Sequence, residues 1–575
     1  MPASLLSAFL NARACPDAAA LVEAATGAPP PAEHAPAPPS ATALLAQLEA
    51  AVTARGRAQI LTPLPVARWL AAAALPAPCA VLDLAAGTGR LLMAALDRLV
   101  ALGRDPSDAL GDLAGVELDP RMVSIARCAL IARAAELGAR RLSVPAVHVG
   151  DGLGVAALPR AGAVLLNPPY AGGDQLSAAQ HAALARLPFH RRQLDQAVFF
   201  LGAGLEALEP GGTLAAITPR YWLEATGASS FRAWLAAQAA VVSVFDLGDV
   251  QVWPAVNVLT ALVVLHRSPE GAPVAPTQFL RATSAGQVDA LLAGHPTTTF
   301  PVARAALGES PWTFRPPAQE GVIGRLTARA TPVSAWFEVG QGVKTGCNEV
   351  FVVDADTARR LDLPEALVRP TARTRDLRPF AIADHGDRLL LVLNDTDLDA
   401  WPALAAHLEP HRARLLERYQ VRANVARWFA LSLPQNLRLM QRAPKIVTPL
   451  YARANSFAVD RDQRVLRTDA YVLAPRAGLP VPIEAVVAAL NSAPVQTFVR
   501  ARAKLKRDGY VEYGRRLLDQ LPLPWTADGA PLSGEAGHTA GLAALGAELE
   551  QGVTAEGLAR LDALVWAAFG QPTGY

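Results

Sequence analysis

The sequence predicts an α/β protein: a doubly wound, mostly parallel sheet closing on an antiparallel hairpin, followed by an α+β domain. Three observations carry this. Short apolar runs alternate with helical stretches from Val81 to His266, the pattern of repeated β-α units. A glycine turn follows the first run directly. Polar residues recur at the ends of the later runs, where ligands of such sheets sit.

The elements follow in order. Residues 1–26 have room for a short helix, Ala28–Ser40 is a proline-rich linker, and Ala41–Ala54 has helical spacing. Val81–Leu84 reads as a strand, then Leu91–Leu99 as a helix. Leu113–Leu118 is a strand followed by the helix Arg121–Leu137. Ala146–Val149 and Val164–Leu166 are strands. Ala197–Leu208 is a helix, and Glu209-Pro210-Gly211-Gly212 stops it. Thr213–Thr218 is a strand, Phe231–Ala240 a helix, and Val241–Asp246 with Val258–His266 the hairpin. Past the Pro- and Gly-rich stretch Ser268–Pro276, strands are expected at Val339–Val353, Lys445–Leu450 and Tyr471–Leu473, and helices at Ile483–Leu490 and Val495–Lys506. The expected domains are an N-terminal extension (1–45), a catalytic domain (46–270), a second domain (277–525) and a polar C-terminal appendage (526–575).

Composition narrows the function. With 575 residues and a net charge of +2, the chain is no polyelectrolyte, so any nucleic-acid surface must be a local patch. Cys15, Cys79, Cys128 and Cys347 are scattered and form no CxxC pair; neither a disulfide framework nor a metal site is expected. No signal pattern opens the chain, and Leu70–Leu75 is too short to span a bilayer. A cytoplasmic protein with no membrane association is expected.

Asn167-Pro168-Pro169-Tyr170 is the most informative stretch. It follows a buried apolar run, and its prolines fix φ and remove two donors, so the Asn167 and Pro168 carbonyls can face a cleft. Those acceptors suit an exocyclic amino group, and Tyr170 can stack on the ring that carries it. Upstream, Val81-Leu82-Asp83-Leu84-Ala85-Ala86-Gly87-Thr88-Gly89 is strand, acid, small residues and turn. Ala85 and Gly87 admit a ligand to the backbone, and Asp83 is placed to bind the amino group of an amino-acid-like ligand. The next strand ends Glu117-Leu118-Asp119: Glu117 suits ribose hydroxyls, and Asp119 suits the cap of the following helix. Asp151 can accept from an adenine amino group. Each acid alone reads more readily as a cap or a solvated loop residue. Three in register on successive strands, with Asn167–Tyr170 on the fourth, describe a pocket for S-adenosylmethionine beside an amino-group acceptor.

At this point the chain resembles the TaqI-like, gamma-class group of adenine-specific N6 DNA methyltransferases, over roughly residues 56 to 525. Gly56–Pro63 is similar to the family's first cofactor motif, in which the Thr62-Pro63 pair lies against the methionine moiety. Asp83, Glu117 and Asp151 match its cofactor acids. Phe200 matches an aromatic packed on the cofactor adenine, and Trp253 one stacked on the flipped base; a core aromatic is the competing reading of Trp253. Gly340–Gly346 with Lys344, Pro444–Val447 with Lys445, Leu490-Asn491-Ser492 and Leu521–Pro524 recur in the family's order. Two departures stand out. Leu84 and Ala86 replace a Pro and a Cys in the glycine turn, and Gly152 stands where an aromatic is frequent, a place Leu153 can take.

The resemblance implies a Rossmann-like S-adenosylmethionine-dependent methyltransferase domain plus a target-recognition domain. It also implies double-stranded DNA as substrate, action as a monomer, and a setting in restriction–modification or phage defence with a separately encoded endonuclease. Arg500, Arg502, Lys504, Lys506 and Arg507, with Arg515 and Arg516 behind and Tyr510 and Tyr513 interleaved, form a basic run for DNA. A second is Arg412, Arg414, Arg418, Arg422 and Arg427. A solvated helix face is the other reading of either. Three rival functions fit part of the pattern. One is an N-methyltransferase acting on rRNA or a release-factor glutamine. Another is a fused nuclease, whose Glu-x-Lys site the lysine-free residues before Lys344 cannot supply. The last is an inactive DNA-binding methylase fold.

Overall fold

The structure, a computed structural model, describes residues 2–13, 18–28, 38–53, 61–154, 159–253, 258–268, 275–476, 478–535 and 537–570, and of residues 51–53, 505 and 507 the backbone. Gly56–Ile60, the Arg507 side chain and most of the proline-rich linker lie outside the described residues. The chain divides into two compact units, Met1–Pro316 and Pro317–Tyr575.

Among the described residues, nine strands form the sheet of the first unit: β1 (Val81–Asp83), β2 (Leu113–Glu117), β3 (Ala146–Val149), β4 (Ala161–Leu166), β5 (Leu208–Pro219), β6 (Ala240–Asp246), β7 (Thr260–His266), β8 (Thr277–Arg281) and β9 (Phe300–Val302). Their order is β3-β2-β1-β4-β5-β7-β6-β8-β9. The five strands from β3 to β5 are mutually parallel. β7 enters antiparallel between β5 and β6, so the expected hairpin is present. Parallel neighbours need crossovers, and the helices Arg90–Ala101, Pro120–Glu136 and Gln196–Ala207 lie in them, while Ser229–Gln238 leads from β5 to β6 past the place of β7. β1 pairs with β2 on one side and β4 on the other, so the order reverses there. Asp83 and Asn167 thus end neighbouring strands at the topological switch point, where such sheets bind ligands.

Three boundaries differ from expectation. The sheet does not stop at residue 270: β8 pairs with the outer edge of β6, and β9 with β8. The edge of β6 would otherwise be open, and Phe279, Leu280 and Phe300 bury their side chains there. The N-terminal stretch is part of the core. Helices Pro2–Asn11, Ala18–Thr26 and Ala41–Thr53 bury Leu6, Phe9, Val22, Leu44 and Leu48 with Leu130 and Ile131 of the helix Pro120–Glu136. That helix lies between sheet and N-terminal helices, which is why its apolar residues run around its whole circumference. Finally, the helix ends at Ala207, just before Glu209–Gly212, and that stretch is itself part of the opening of β5, with Gly211 at φ +84° and a register shift against β4.

The second unit holds an antiparallel sheet ordered Phe337–Gln341, Ala470–Pro475, Lys445–Pro449 and Ala458–Asp460. The expected strand over Val339–Val353 ends at Gln341. A Cβ on Gly342 would lie 2.1 Å from the Arg467 carbonyl oxygen, and one on Gly346, at φ +79°, 2.0 Å from Ser432 Oγ. These close approaches turn the chain into the short helix Asn348–Phe351. The helix Ala493–Arg502 ends before Lys504–Leu505, which pairs with Val511–Glu512. The C-terminal stretch is no polar appendage. Helices Gly537–Gln551 and Ala555–Ala568 bury Leu542, Leu545, Leu549, Leu561 and Val565 in this unit's core. Gly546 lets the first of them press on the helix Ile483–Leu490, where a Cβ would meet the Glu484 carbonyl oxygen at 2.4 Å.

Candidate active site

The turn after β1 is built on left-handed glycines, Gly87 at φ +53° and Gly89 at φ +83°. Gly89 sits on the helix Pro120–Glu136, with room of only 3.0 Å between an added Cβ and that of Ala126. Glu117 ties the turn to β2: Oε2 accepts from the Gly87 N–H (2.9 Å) and Oε1 from the Asp119 N–H (2.9 Å). A carboxylate keeps further lone-pair sites after two such bonds. Asp119 caps the next helix, accepting from the Arg121 N–H at 2.9 Å, as its sequence context implies.

Asp83 is fully buried. Its Oδ1 accepts from the Ala85 N–H at 3.0 Å, and its Oδ2 has no hydrogen-bond partner among the described residues. Burial pushes the carboxyl up to about 7; the Ala85 N–H opposes this and the Glu117 charge adds to it. A buried carboxylate oxygen without a donor is costly. Strongly shifted groups in clefts mark functional sites. The α-ammonium of S-adenosylmethionine has the charge and the donors that this oxygen lacks, so the residues present fit that cofactor.

The third acid is more committed than expected. Asp151 accepts from the Leu153 N–H (3.0 Å) and from Gln180 Nε2 (2.8 Å). Gln180 also closes a capping box with Ser177. Gln180 stands outside the cofactor motifs, though Ser177-x-x-Gln180 has the capping-box spacing that could have pointed to it. Gly152 is explained by crowding: a Cβ would lie 2.1 Å from the Leu84 carbonyl oxygen and 3.1 Å from Phe200 Cε1. Phe200, expected to face a cofactor, is 5% exposed within a core that includes Leu84 and Leu153. The exposed apolar surface at the strand ends belongs instead to Leu118, 71% exposed, and Val149.

Four separate stretches converge after β4. Asn167 donates from Nδ2 to Thr62 Oγ1 at 2.9 Å, across 105 residues of sequence. Thr62 is buried. Pro168 is buried and Pro169 exposed. Tyr170 meets Trp253 edge to face, and the Trp253 indole N–H donates to the Leu61 carbonyl at 2.7 Å. The Tyr170 hydroxyl is buried with no hydrogen-bond partner among the described residues. Burial, then the Asp195 charge, push its phenol well above the ordinary value. Asp195, which caps the helix Gln196–Ala207, is itself raised to about 6 by burial. No motif marks Asp195 in the sequence. A groove of about 700 Å³ is lined by Pro63, Trp69, Val250, Val252 and Leu292, but not by Asp83, Asn167 or Tyr170.

The basic residues of the second unit divide sharply. Lys445, expected on a DNA surface, is fully buried and ion-paired with the equally buried Asp460, which also takes Arg464 Nη1 at 2.9 Å. It opens a strand buried along its whole length, and burial lowers its ammonium from the ordinary lysine value. Arg418 is likewise buried, donating to the carbonyls of Leu415, Thr345 and Trp428. Tyr513 is a core residue whose hydroxyl donates to Asn455 Oδ1 at 2.8 Å. Lys344, Arg500, Arg502 and Lys504 are exposed and Lys506 half-buried. Acids temper several of them: Glu320 lies 3.1 Å from Arg502, and Glu512 lies 3.9 Å from Lys504 and 3.0 Å from Lys506. Leu490-Asn491-Ser492 proves architectural, since Asn491 both donates to and accepts from the Phe457 backbone (2.8 and 2.9 Å).

The strand order, with β7 reversed and acids at the carboxyl ends of neighbouring strands, defines a Rossmann-like methyltransferase fold, joined here to an α+β specificity domain. Comparison with known proteins narrows that class. Residues 162–253 match the Eco57I restriction-modification methylase family, and residues 416–523 match the TaqI-like C-terminal specificity domain. The Type II methyltransferase M.XhoI of Xanthomonas vasicola is 24% identical over 480 residues, 77% of this chain and 85% of that protein. M.BanIII of Aneurinibacillus aneurinilyticus, another Type II methyltransferase, is 32% identical over 90 residues, 16% of each chain. Among solved structures, the type IIL restriction-modification enzyme MmeI in complex with DNA covers 92% of this chain and 74% of its own at 12% identity, with a TM-score of 0.58. The DrdV–DNA complex covers 89% and 59% at 13% identity, TM-score 0.50. Over most of its length the chain is thus similar to a Type II methyltransferase, and within it to a restriction-modification methylase family. Among the described residues, no helix is long and apolar enough to cross a membrane.

Proposed function

We propose that this chain is a site-specific DNA methyltransferase that methylates the N6 amine of an adenine turned out of the duplex. The observation that carries the reading is the Thr62–Asn167 hydrogen bond. It commits an amide N–H to the protein, so that the amide oxygen is the acceptor end of the side chain. The adenine amine is a poor nucleophile because its lone pair is delocalised into the ring. Asn167 Oδ1 and the Pro168 carbonyl each accept one amino hydrogen, which pulls the nitrogen toward tetrahedral geometry and localises its lone pair for direct in-line attack. Positioning and matched hydrogen bonds carry the rate, and no covalent intermediate is needed.

S-adenosylmethionine, when bound, supplies the electrophilic methyl group. Asp83 would hold its ammonium, Thr62, Ala85 and Gly87 its amino-acid part, Glu117 its ribose, and Leu118 and Asp151 its base. Extruding the adenine costs a few kcal/mol. Contact with Tyr170 and Trp253 offsets this, at about 1–3 kcal/mol per stacked base. The second unit would read the target, with Lys344, Arg500, Arg502, Lys504, Lys506 and Arg507 on phosphates. A monomer on double-stranded DNA and a separately encoded endonuclease complete the proposal.

The test is tritium transfer from labelled cofactor to DNA, ribosomes and release factor in parallel. DNA labelling that maps to adenine and vanishes in Asn167→Ala, while cofactor binding survives, is the expected result. Labelling of rRNA or release factor alone, or full activity in Asn167→Ala, would refute it.

A further inference from the structure

Glu49 and Arg90 belong to no motif, yet they converge on the peptide that holds Asn167. Glu49 lies on the helix Ala41–Thr53 and is 5% exposed. Its Oε1 accepts from Thr88 Oγ1 (2.6 Å) and Arg90 Nε (2.8 Å), and its Oε2 from Arg90 Nη2 (2.5 Å). The remaining arm of the fork, Arg90 Nη1, donates to the Thr62 carbonyl at 2.9 Å. The Thr62 hydroxyl in turn accepts from Asn167 Nδ2 at 2.9 Å.

Two physical points argue that this pair is not there for stability alone. Arg90 is the first residue of its helix, where a cation opposes the helix dipole. Taking Glu49 out of water, with Arg90 half-buried beside it, also costs desolvation that an ion pair seldom more than repays. What the pair provides is geometry. A guanidinium gripped on two nitrogens by one carboxylate has its third nitrogen aimed in a fixed direction, here at the backbone of Thr62.

We propose that Glu49 and Arg90 are positioning residues for methyl transfer, fixing the Thr62 peptide and, through the Thr62 hydroxyl, the place of the Asn167 amide. The proposal rests on the adenine-methyltransferase reading above. It gives the N-terminal helix a part in catalysis.

The test compares wild type, Arg90→Lys and the paired variant Glu49→Leu/Arg90→Leu by three readouts. These are calorimetric binding of S-adenosylmethionine, single-turnover methylation of duplex DNA, and the Asn167–Thr62 distance in crystal structures. Arg90→Lys keeps the charge but cannot grip Glu49 and reach Thr62 together. Both variants are expected to lose about tenfold to hundredfold in rate at saturating cofactor, the cost of a small misplacement; cofactor affinity falls by less than the rate, because Asp83, Ala85 and Gly87 keep their places while Thr62 shifts. The paired variant is expected to regain the wild-type melting temperature without regaining the rate. A wild-type rate in the paired variant, or an unchanged Asn167–Thr62 distance in both, would overturn the proposal. If the wild type itself methylates no DNA, the adenine reading has failed, and the crystallographic distance still decides the positioning role.

Discussion

Tyr170 and Trp253 meet edge to face, their ring centroids 5.7 Å apart and their planes at 85°. They touch each other and leave no slot for a base between parallel faces. The indole is held there by the Leu61 carbonyl. A base entering the site must therefore displace this contact, and the two rings exchange a ring–ring interaction for a ring–base one. Trp253→Ala is expected to lower kcat/KM on a normal duplex about tenfold to hundredfold, the rate equivalent of 1–3 kcal/mol of stacking. On a duplex carrying a mismatch at the target adenine, where extrusion costs less, the loss should be smaller. Equal losses on both substrates would assign Trp253 to the core alone.

Asp83 gives the site a pH dependence with a definite sign. Its carboxyl is raised to about 7 in the folded protein from an ordinary value near 3.8. The folded form thus holds a proton that the unfolded form loses. The resulting stability is full below the ordinary value and is lost as pH rises through about 7. A bound ammonium ion reverses this by favouring the ionised carboxylate. Affinity for S-adenosylmethionine should then weaken about tenfold for each pH unit below about 7. Titration calorimetry over about pH 5.5 to 8 would show the slope, and Asp83→Asn should flatten it. A slope that persists in Asp83→Asn would place the linked proton elsewhere.

The parts legible in the sequence are those set by local pattern. Alternating apolar runs fix the strands, and Asn167–Tyr170 follows directly on the end of β4. The Asp119 cap depends only on the residues beside it. What escaped depends on distant partners. Glu49 and Arg90 are 41 residues apart and carry no motif. β8 and β9 are short and follow a stretch rich in Pro and Gly, so only the open edge of β6 gives them a place. Lys445 resembles a DNA contact until the pairing of its strand with Ala458–Asp460 puts a buried aspartate opposite it.

Lys445 therefore separates stability from DNA affinity. Lys445→Ala leaves Asp460 buried and without its lysine, a loss of about 3–5 kcal/mol for a broken buried pair. The salt dependence of DNA binding should not change. Arg500→Ala or Lys504→Ala, on the exposed run, should leave the melting temperature near wild type. Each should lower the slope of log K against log salt by about 0.9 for a lost phosphate contact. A changed salt slope in a folded Lys445→Ala protein would return that residue to the DNA surface.

Gly152 tests whether the cofactor-side wall is as tightly closed as the geometry implies. Its Cβ would fall 2.1 Å from the Leu84 carbonyl oxygen and 3.0 Å from the Leu84 carbonyl carbon. That obstacle is backbone, one residue past Asp83, and cannot rotate away as a side chain can. Gly152→Ala should push the turn after β1 out of place, costing about 1–3 kcal/mol of stability as overpacked sites do. It should weaken S-adenosylmethionine binding in the same variant, because Asp83 and Ala85 move with the turn. Gly111→Ala is the control: nothing lies within 4 Å of its added Cβ, so both quantities should stay near wild type. A Gly152→Ala protein with unchanged melting temperature and cofactor affinity would mean that the turn yields without disturbing Asp83.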